Sequence, residues 1–256
     1  MCALFRSAKT VPLHREAMEV PKLRDGQLAA ATYGPPMGGD SYDFVRVSPT
    51  RVLFGLLDVA GRLDDIRAIV SAAQNTFRTL GAELLGREDT NEADAMIELC
   101  IGLNRTILNA AGSVCSSPAF AGCYNESLGT VCYFNAGHTP GLMRDDSGVI
   151  ELGATGLPLG LFSHLTPDAP MIALQPGAAL LVVSRGMVEA RRKSVEFGLQ
   201  KVKNELQQAQ SQTAQEICAT VLGSVREFIG KSPVRNDATA IALARSAARK
   251  ASPAAG

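Results

Sequence analysis

The chain has 256 residues, 46% of them hydrophobic but only 5% aromatic, which suits one large domain with an aliphatic core. Lys plus Arg and Asp plus Glu both number 25, so no global field draws the protein to nucleic acid or to an anionic membrane. Cys2, Cys100, Cys115, Cys123, Cys132 and Cys218 are scattered without CxxC spacing, which argues against a zinc site or a disulfide framework and predicts buried thiols in a reducing compartment.

Residues 1–25 read as irregular, with Pro12 and Pro21 limiting any helix, and the opening MCALFRSAKTVPLHREAM lacks the apolar core of a signal peptide. No run approaches the ~20 apolar residues that cross a bilayer, so the expectation is a soluble, cytoplasmic protein. From Gln27, short apolar runs bounded by Gly, Pro and Asp (QLAAATY, YDFVRV, RVLFGLLDV) predict strands, with a hairpin turn at Ser48-Pro49-Thr50. Arg51 to Val59 is nearly continuous apolar, as in a strand covered on both faces.

Two helices follow. Ile66, Ile69, Val70, Ala73, Phe77 and Leu80 form one apolar face, and Ala93, Met96, Ile97, Cys100, Leu103, Ile107 and Leu108 form another after the polar GREDTNE break. Strand patterns return in AFAGCYN, TVCYFNAG, GLMRD and VIEL, separated by turns at Glu126–Gly129 and Asp145–Gly148. Ala178 to Ser184 predicts a further buried strand and Val195 to Gln208 a moderately amphipathic helix. Thr213-Ala-Gln-Glu216 fits a capping box ahead of a helix through Phe228, and Ala238 to Ala244 closes the pattern as a strand. Runs of strands alternating with pairs of helices point to an α+β layered domain. The domain spans residues 26–245, and the small, basic tail 246–256 reads as frayed.

Six blocks stand out in order: GGDSYDF (Gly38–Phe44), LDVAG (Leu57–Gly61), YFNAGHTPGL (Tyr133–Leu142), ATGLPLGLF (Ala154–Phe162), VSRGMVEAR (Val183–Arg191) and RNDATAIAL (Arg235–Leu243). Together they resemble the metal-dependent protein phosphatases of the PPM (type 2C) family, in the bacterial branch typified by stage II sporulation protein E. The resemblance covers roughly residues 26–245. It implies a four-layer α-β-β-α sandwich with two face-to-face antiparallel sheets.

The chemistry it implies uses two divalent ions, Mn²⁺ or Mg²⁺, that acidify a water and clamp a phosphoryl group. Such hard ions want oxygen ligands, supplied by aspartates from distant parts of the chain. By resemblance, Asp40 and Asp58 are catalytic metal ligands and the Val59 carbonyl completes one ion. Taken alone, Asp40 also reads as a loop aspartate and Asp58 as a turn or helix cap. The second block departs from the usual glycine-rich pattern at Leu63; Asp64 and Asp65 suit the start of the next helix, with a substitute ligand role left open.

Two of the family's acids are replaced. Arg185 stands where TDG carries its aspartate, and Asn236 at the first position of the usual acidic pair, leaving Asp237 beside it. A unit charge pair at about 4 Å is worth roughly 4 kcal/mol at an effective dielectric near 20. An inward Arg185 therefore turns strong attraction for a divalent ion into repulsion. The guanidinium then sits between Asp40 and Asp58 in the cation's place, binds phosphate, or turns out to solvent. Glu189 matches a family acid that closes a local network, and His138 suits a structural hydrogen-bonding role.

Three functional readings follow from the resemblance. One is a pseudophosphatase regulator of bacterial signalling with weak or no hydrolysis and no cofactor. Another is an active serine/threonine phosphatase acting on a phosphorylated regulator such as an anti-anti-sigma factor. In the third, Arg185 binds phosphate directly and the domain recognises phosphoproteins without cleaving them. All imply a phosphorylated or regulatory protein partner, with a homodimer left open, and none implies nucleic acid or membrane.

Overall fold

Strand β3 (Arg51–Asp58) is buried along almost its whole length, and its two faces meet different neighbours. Leu53 and Leu57 join one apolar cluster, while Val52, Phe54 and Leu56 join another, as the period-two alternation of a strand requires. A strand of this kind needs a layer on each side. The structure, a computed structural model, describes residues 20–34, 39–60, 63–112, 114–209, 213–230 and 236–247. Most of the expected irregular N-terminal segment, up to residue 19, and the tail beyond 247 lie outside the described residues.

The layers are two five-stranded antiparallel sheets. The sheet containing β3 has the order β2 (Asp40–Arg46), β3, β4 (Ala119–Asn125), β5 (Thr130–Ala136) and β8 (Met171–Ala173). Its companion runs β1 (Gly26–Tyr33), β12 (Ala238–Arg245), β9 (Ala179–Val183), β6 (Gly141–Asp145) and β7 (Gly148–Leu152). Between them Phe44, Phe54, Phe120, Tyr124, Leu180 and Ile241 form the inter-sheet core. Helices α1 (Leu63–Leu85) and α2 (Glu92–Ala111) cover the outer face of the first sheet through Ile69, Phe77, Met96 and Leu103. Helices α4 (Leu199–Gln208) and α5 (Ala214–Ile229) cover the second through Val202, Leu206, Ile217 and Val221. The result is the expected four-layer α-β-β-α sandwich. Among the described residues, no helix is long and apolar enough to cross a membrane. Cys100, Cys123, Cys132 and Cys218 are buried free thiols, and Cys115 is half-buried.

Local chemistry places the ends of these elements. Asn91 caps α2 by accepting from the amides of Ala93 and Asp94, and Gly112 ends it with φ 64°. Thr213 accepts from the Glu216 amide at 3.3 Å, the hydroxyl half of the expected capping box. Asn125 and Asp145 fold the two expected hairpin turns by accepting from Ser127 N and Ser147 N.

Three features differ from the sequence pattern. The helix expected from Val195 begins only at Leu199. The residues before it form a small hairpin, β10 (Arg191–Arg192) with β11 (Val195–Glu196), and Gly198 at φ 80° then turns the chain into α4. Strand β8 and the single-turn helix α3 (Arg185–Val188) are too short to show a period in sequence.

Candidate functional site

The first half of the site is a strand pair. Asp40 opens β2, Asp58 ends β3, and the antiparallel register sets them directly opposite each other. The Val59 amide donates to Gly39 O at 3.1 Å, and a Cβ on Gly39 would run into the Val59 carbonyl. Only glycine permits that approach. Its cause is therefore backbone packing beside the two acids.

The second half comes from the other sheet. Ser184 ends β9 and Thr239 lies near the start of β12. The Ser184 amide donates to Thr239 O at 2.9 Å, and the Thr239 amide to Ser184 Oγ at 3.0 Å. This clasp carries α3, so that Arg185 begins a helical turn at the sheet ends. A Cβ on Gly186 would collide with the Asp237 carbonyl, which makes this glycine the counterpart of Gly39.

The two halves meet at the acids. Arg185 Nε lies 3.3 Å from Asp58 Oδ2 and 4.0 Å from Glu189 Oε1. Asp58 is largely buried, whereas the Arg185 side chain keeps half its surface in solvent. The ion pair is thus a single-nitrogen contact shared with Glu189, and not the symmetrical bridge across Asp40 and Asp58 that the sequence allowed. The guanidinium faces Asp58, while the Arg185 residue as a whole is exposed.

Asp40 is half-buried as a residue, whereas Asp58 is buried, but one Asp40 oxygen is fully enclosed. That oxygen, Oδ2, makes no hydrogen bond, and burial pushes the Asp40 pKa from the ordinary 3.8 to about 7. The Ser184 and Thr239 hydroxyls lie close enough to oppose that rise, and the charges of Asp58 and Asp237 add to it. Asp237 is half-buried and within electrostatic reach of Asp40, while Asn236 is exposed. The structure therefore draws Asp40, Asp58, Val59, Asp237 and Arg185 together and leaves the Asn236 side chain on the surface. Asp65 is exposed, and Gly38, Gly61, Arg235 and the side chain of Asp64 lie outside the described residues.

Sequence reasoning gave Ser184 no role, although its hydroxyl touches three parts of the site. Only its place at the end of an apolar run ahead of Arg185 could have marked it. His138 follows Gly137, whose φ is 64°, in a turn held by His138 N donating to Asn135 Oδ1 at 2.7 Å. Its Nδ1 meets Thr139 O at 3.0 Å; a carbonyl only accepts, so Nδ1 carries the proton. Nε2 is buried without a hydrogen bond, and burial lowers the ring's pKa. Asp58 and Arg185 lie within electrostatic range of the ring.

A separate cavity of about 40 Å³ lies between α1, α2 and the first sheet, lined by Gly55, Phe77, Leu103, Phe120 and Phe134. It is apolar and belongs to the packing of α1 on β2 and β3, not to the acid cluster.

Comparison with known proteins fits this geometry. Residues 48–246 match the family model described as stage II sporulation protein E (SpoIIE). Among solved structures, the RsbU and RsbW domains of a Mycobacterium tuberculosis protein superpose with a TM-score of 0.74 at 20% identity, over 93% of this chain and 65% of that one. The phosphatase domain and a regulatory fragment of Bacillus subtilis SpoIIE give 0.68 at 19% identity, over 88% and 64%. The catalytic domain of the serine/threonine phosphatase PstP, in complex with two manganese ions, gives 0.63 at 12% identity, over 87% and 99%. The chain thus spans less than two thirds of the length of the first two. No curated protein matches it in sequence.

Proposed function

The chain belongs to the stage II sporulation protein E family, and on that premise we propose that it is a phosphatase-like regulator in bacterial signalling with little or no hydrolytic activity. One observation carries this reading: Arg185 Nε lies 3.3 Å from Asp58 Oδ2, so a tethered cation holds the carboxylate that a metal pair would need. A pair of Mg²⁺ or Mn²⁺ ions does not fit the residues present. Asp58 and Asp237 lie within electrostatic reach of Asp40, but among the described residues no three His, Cys, Asp or Glu side chains are grouped so as to hold one metal ion. Asn236 offers no charge and is exposed. Asp40 Oδ2 and the Thr239 hydroxyl are buried oxygens without a hydrogen-bond partner beside this cluster, and Asp58 is the carboxylate that already faces a cation. No hydrolytic step is therefore derived through metal ions.

The residues do support a different role. Arg185 holds the ends of the two sheets together through Asp58, and the site becomes a fixed ionic surface on a family scaffold. Its charge faces Asp58 and, more distantly, Glu189, while half of the side chain stays in solvent. The domain acts by binding a regulatory protein and leaving it chemically unchanged.

Calorimetric titration with Mn²⁺ and turnover of a chromogenic phosphate ester test the reading. The expected result is no Mn²⁺ binding tighter than about 1 mM, the weak end of oxygen-ligand sites, and no turnover. Arg185→Asp combined with Asn236→Asp is expected to tighten Mn²⁺ binding at least tenfold, roughly the worth of 1.4 kcal/mol. Hydrolysis by the natural protein that disappears in Asp58→Asn would overturn the proposal in favour of an active phosphatase.

A further inference from the structure

The hairpin β10–β11 is the least expected element of the fold, and it coincides with the basic run Arg191-Arg192-Lys193. All residues from Arg191 to Glu196 are exposed. The base of the hairpin, by contrast, is firmly rooted. Phe197 N donates to Ala190 O at 2.8 Å and Gly198 N to Val188 O at 2.9 Å, and the Phe197 ring packs edge-on against Phe228 with centroids 5.4 Å apart. The element is a short protrusion on a rigid base that belongs to neither main sheet.

We propose that this hairpin is a docking finger for an acidic protein segment that carries apolar side chains among its carboxylates. The two sides of the finger differ. Arg191 pairs with Glu196 across the strands, which neutralises one side. Arg192 is the cross-strand partner of Val195, which is 56% exposed, so charge and apolar surface stand side by side on the other. Among the described residues, Arg192 and Lys193 have no ion-pair partner.

The tip gives independent support. Lys193 has φ 57°, and it is the only described non-glycine residue with positive φ. In a two-residue hairpin turn with positive φ at the first central position, glycine is the residue that fits without strain. A lysine there holds an ammonium group at the apex at the expense of local backbone stability, the pattern expected where a side chain is kept for contact.

Charge limits the class of partner. The chain is neutral overall, and among the described residues only Arg192 and Lys193 of the finger are cations without an ion-pair partner, a positive patch too short to track a continuous polyanion such as a nucleic acid. A short run of carboxylates on a protein, with a leucine-like neighbour for Val195, matches both the span and the surface. The inference does not depend on whether the acid cluster hydrolyses phosphate.

Fluorescence anisotropy with a labelled peptide of alternating Glu and Leu tests it. At about 50 mM salt the full chain is expected to bind, and binding should weaken markedly at about 0.5 M as screening shortens the reach of each charge. Arg192→Glu with Lys193→Glu should weaken binding at least about fivefold, whereas the equal charge change Arg87→Glu in the α1–α2 turn with Arg105→Glu on α2, both exposed, should not. Lys193→Gly guards against misfolding as the explanation. It should raise the thermal midpoint, because the turn is relaxed, and still weaken peptide binding. Absence of peptide binding, equal loss in the two charge-reversed proteins, or a preference for duplex DNA or phosphatidylserine vesicles would overturn the proposal.

Discussion

Asp40 and Asp58 face each other across two paired strands but have different company. Asp58 has the Arg185 guanidinium at 3.3 Å, whereas Asp40 has two hydroxyls and the like charges of Asp58 and Asp237. Burial without a cation explains why Asp40 holds its proton up to about 7. The folded protein then binds that proton more tightly than the unfolded chain does. Its contribution to stability is full below the ordinary 3.8 and is lost as pH climbs to about 7. Asp40→Asn, which cannot ionise, should therefore flatten the fall in stability across that window. Urea unfolding midpoints at pH 5 and pH 8 measure this, and equal pH slopes for variant and natural protein would contradict it.

At the scale of elements, two backbone contacts fix the site. Gly39, just ahead of β2, packs on the Val59 carbonyl, and α3 rests on the Asp237 carbonyl through Gly186. Neither contact has room for a methyl group, and in both the obstructing atom is backbone, which cannot rotate aside. Gly186→Ala should thus cost about 1–3 kcal/mol, in the range of overpacked positions. Its effect should also reach the Arg185–Asp58 pair by displacing α3. Denaturant titration checks the first point, and a stability within about 0.5 kcal/mol of the natural protein, typical of an indifferent surface change, would refute it. The same scale explains the late start of α4. Its apolar residues Val202 and Leu206 carry a helical period, but Gly198 and the hairpin before it obey a turn that periodicity does not register.

Across the whole molecule, the ionic cluster and the main structural clamp occupy opposite ends of β3. At the start of that strand Arg51 Nε meets Glu92 Oε1 at 2.6 Å, and its terminal nitrogens donate to Arg87 O and Glu88 O, which locks the α1–α2 turn to the sheet. Asn125 adds a bond to the same Glu92 oxygen at 2.7 Å. Arg51→Met would leave a buried carboxylate uncompensated and should destabilise the fold by about 3–5 kcal/mol. Circular dichroism during urea unfolding measures the loss, and a shift of less than about 1 kcal/mol, the value of an exposed pair, would contradict the clamp.

Periodicity alone determined the main strands, the long helices and their α+β order, because burial on one face or two imposes its spacing on local sequence. The resemblance carried by Gly38–Phe44, Leu57–Gly61, Val183–Arg191 and Arg235–Leu243 determined the sandwich and named the residues to watch. The tertiary structure decided the pairing of Arg185 with Asp58 and Glu189, the burial of Asp40 beneath Ser184 and Thr239, and the turn-bound finger at Lys193. The reason is physical. The charge state and partner of a side chain depend on groups brought together from strands far apart in the chain, and on backbone contacts at glycines, neither of which leaves a local period to read.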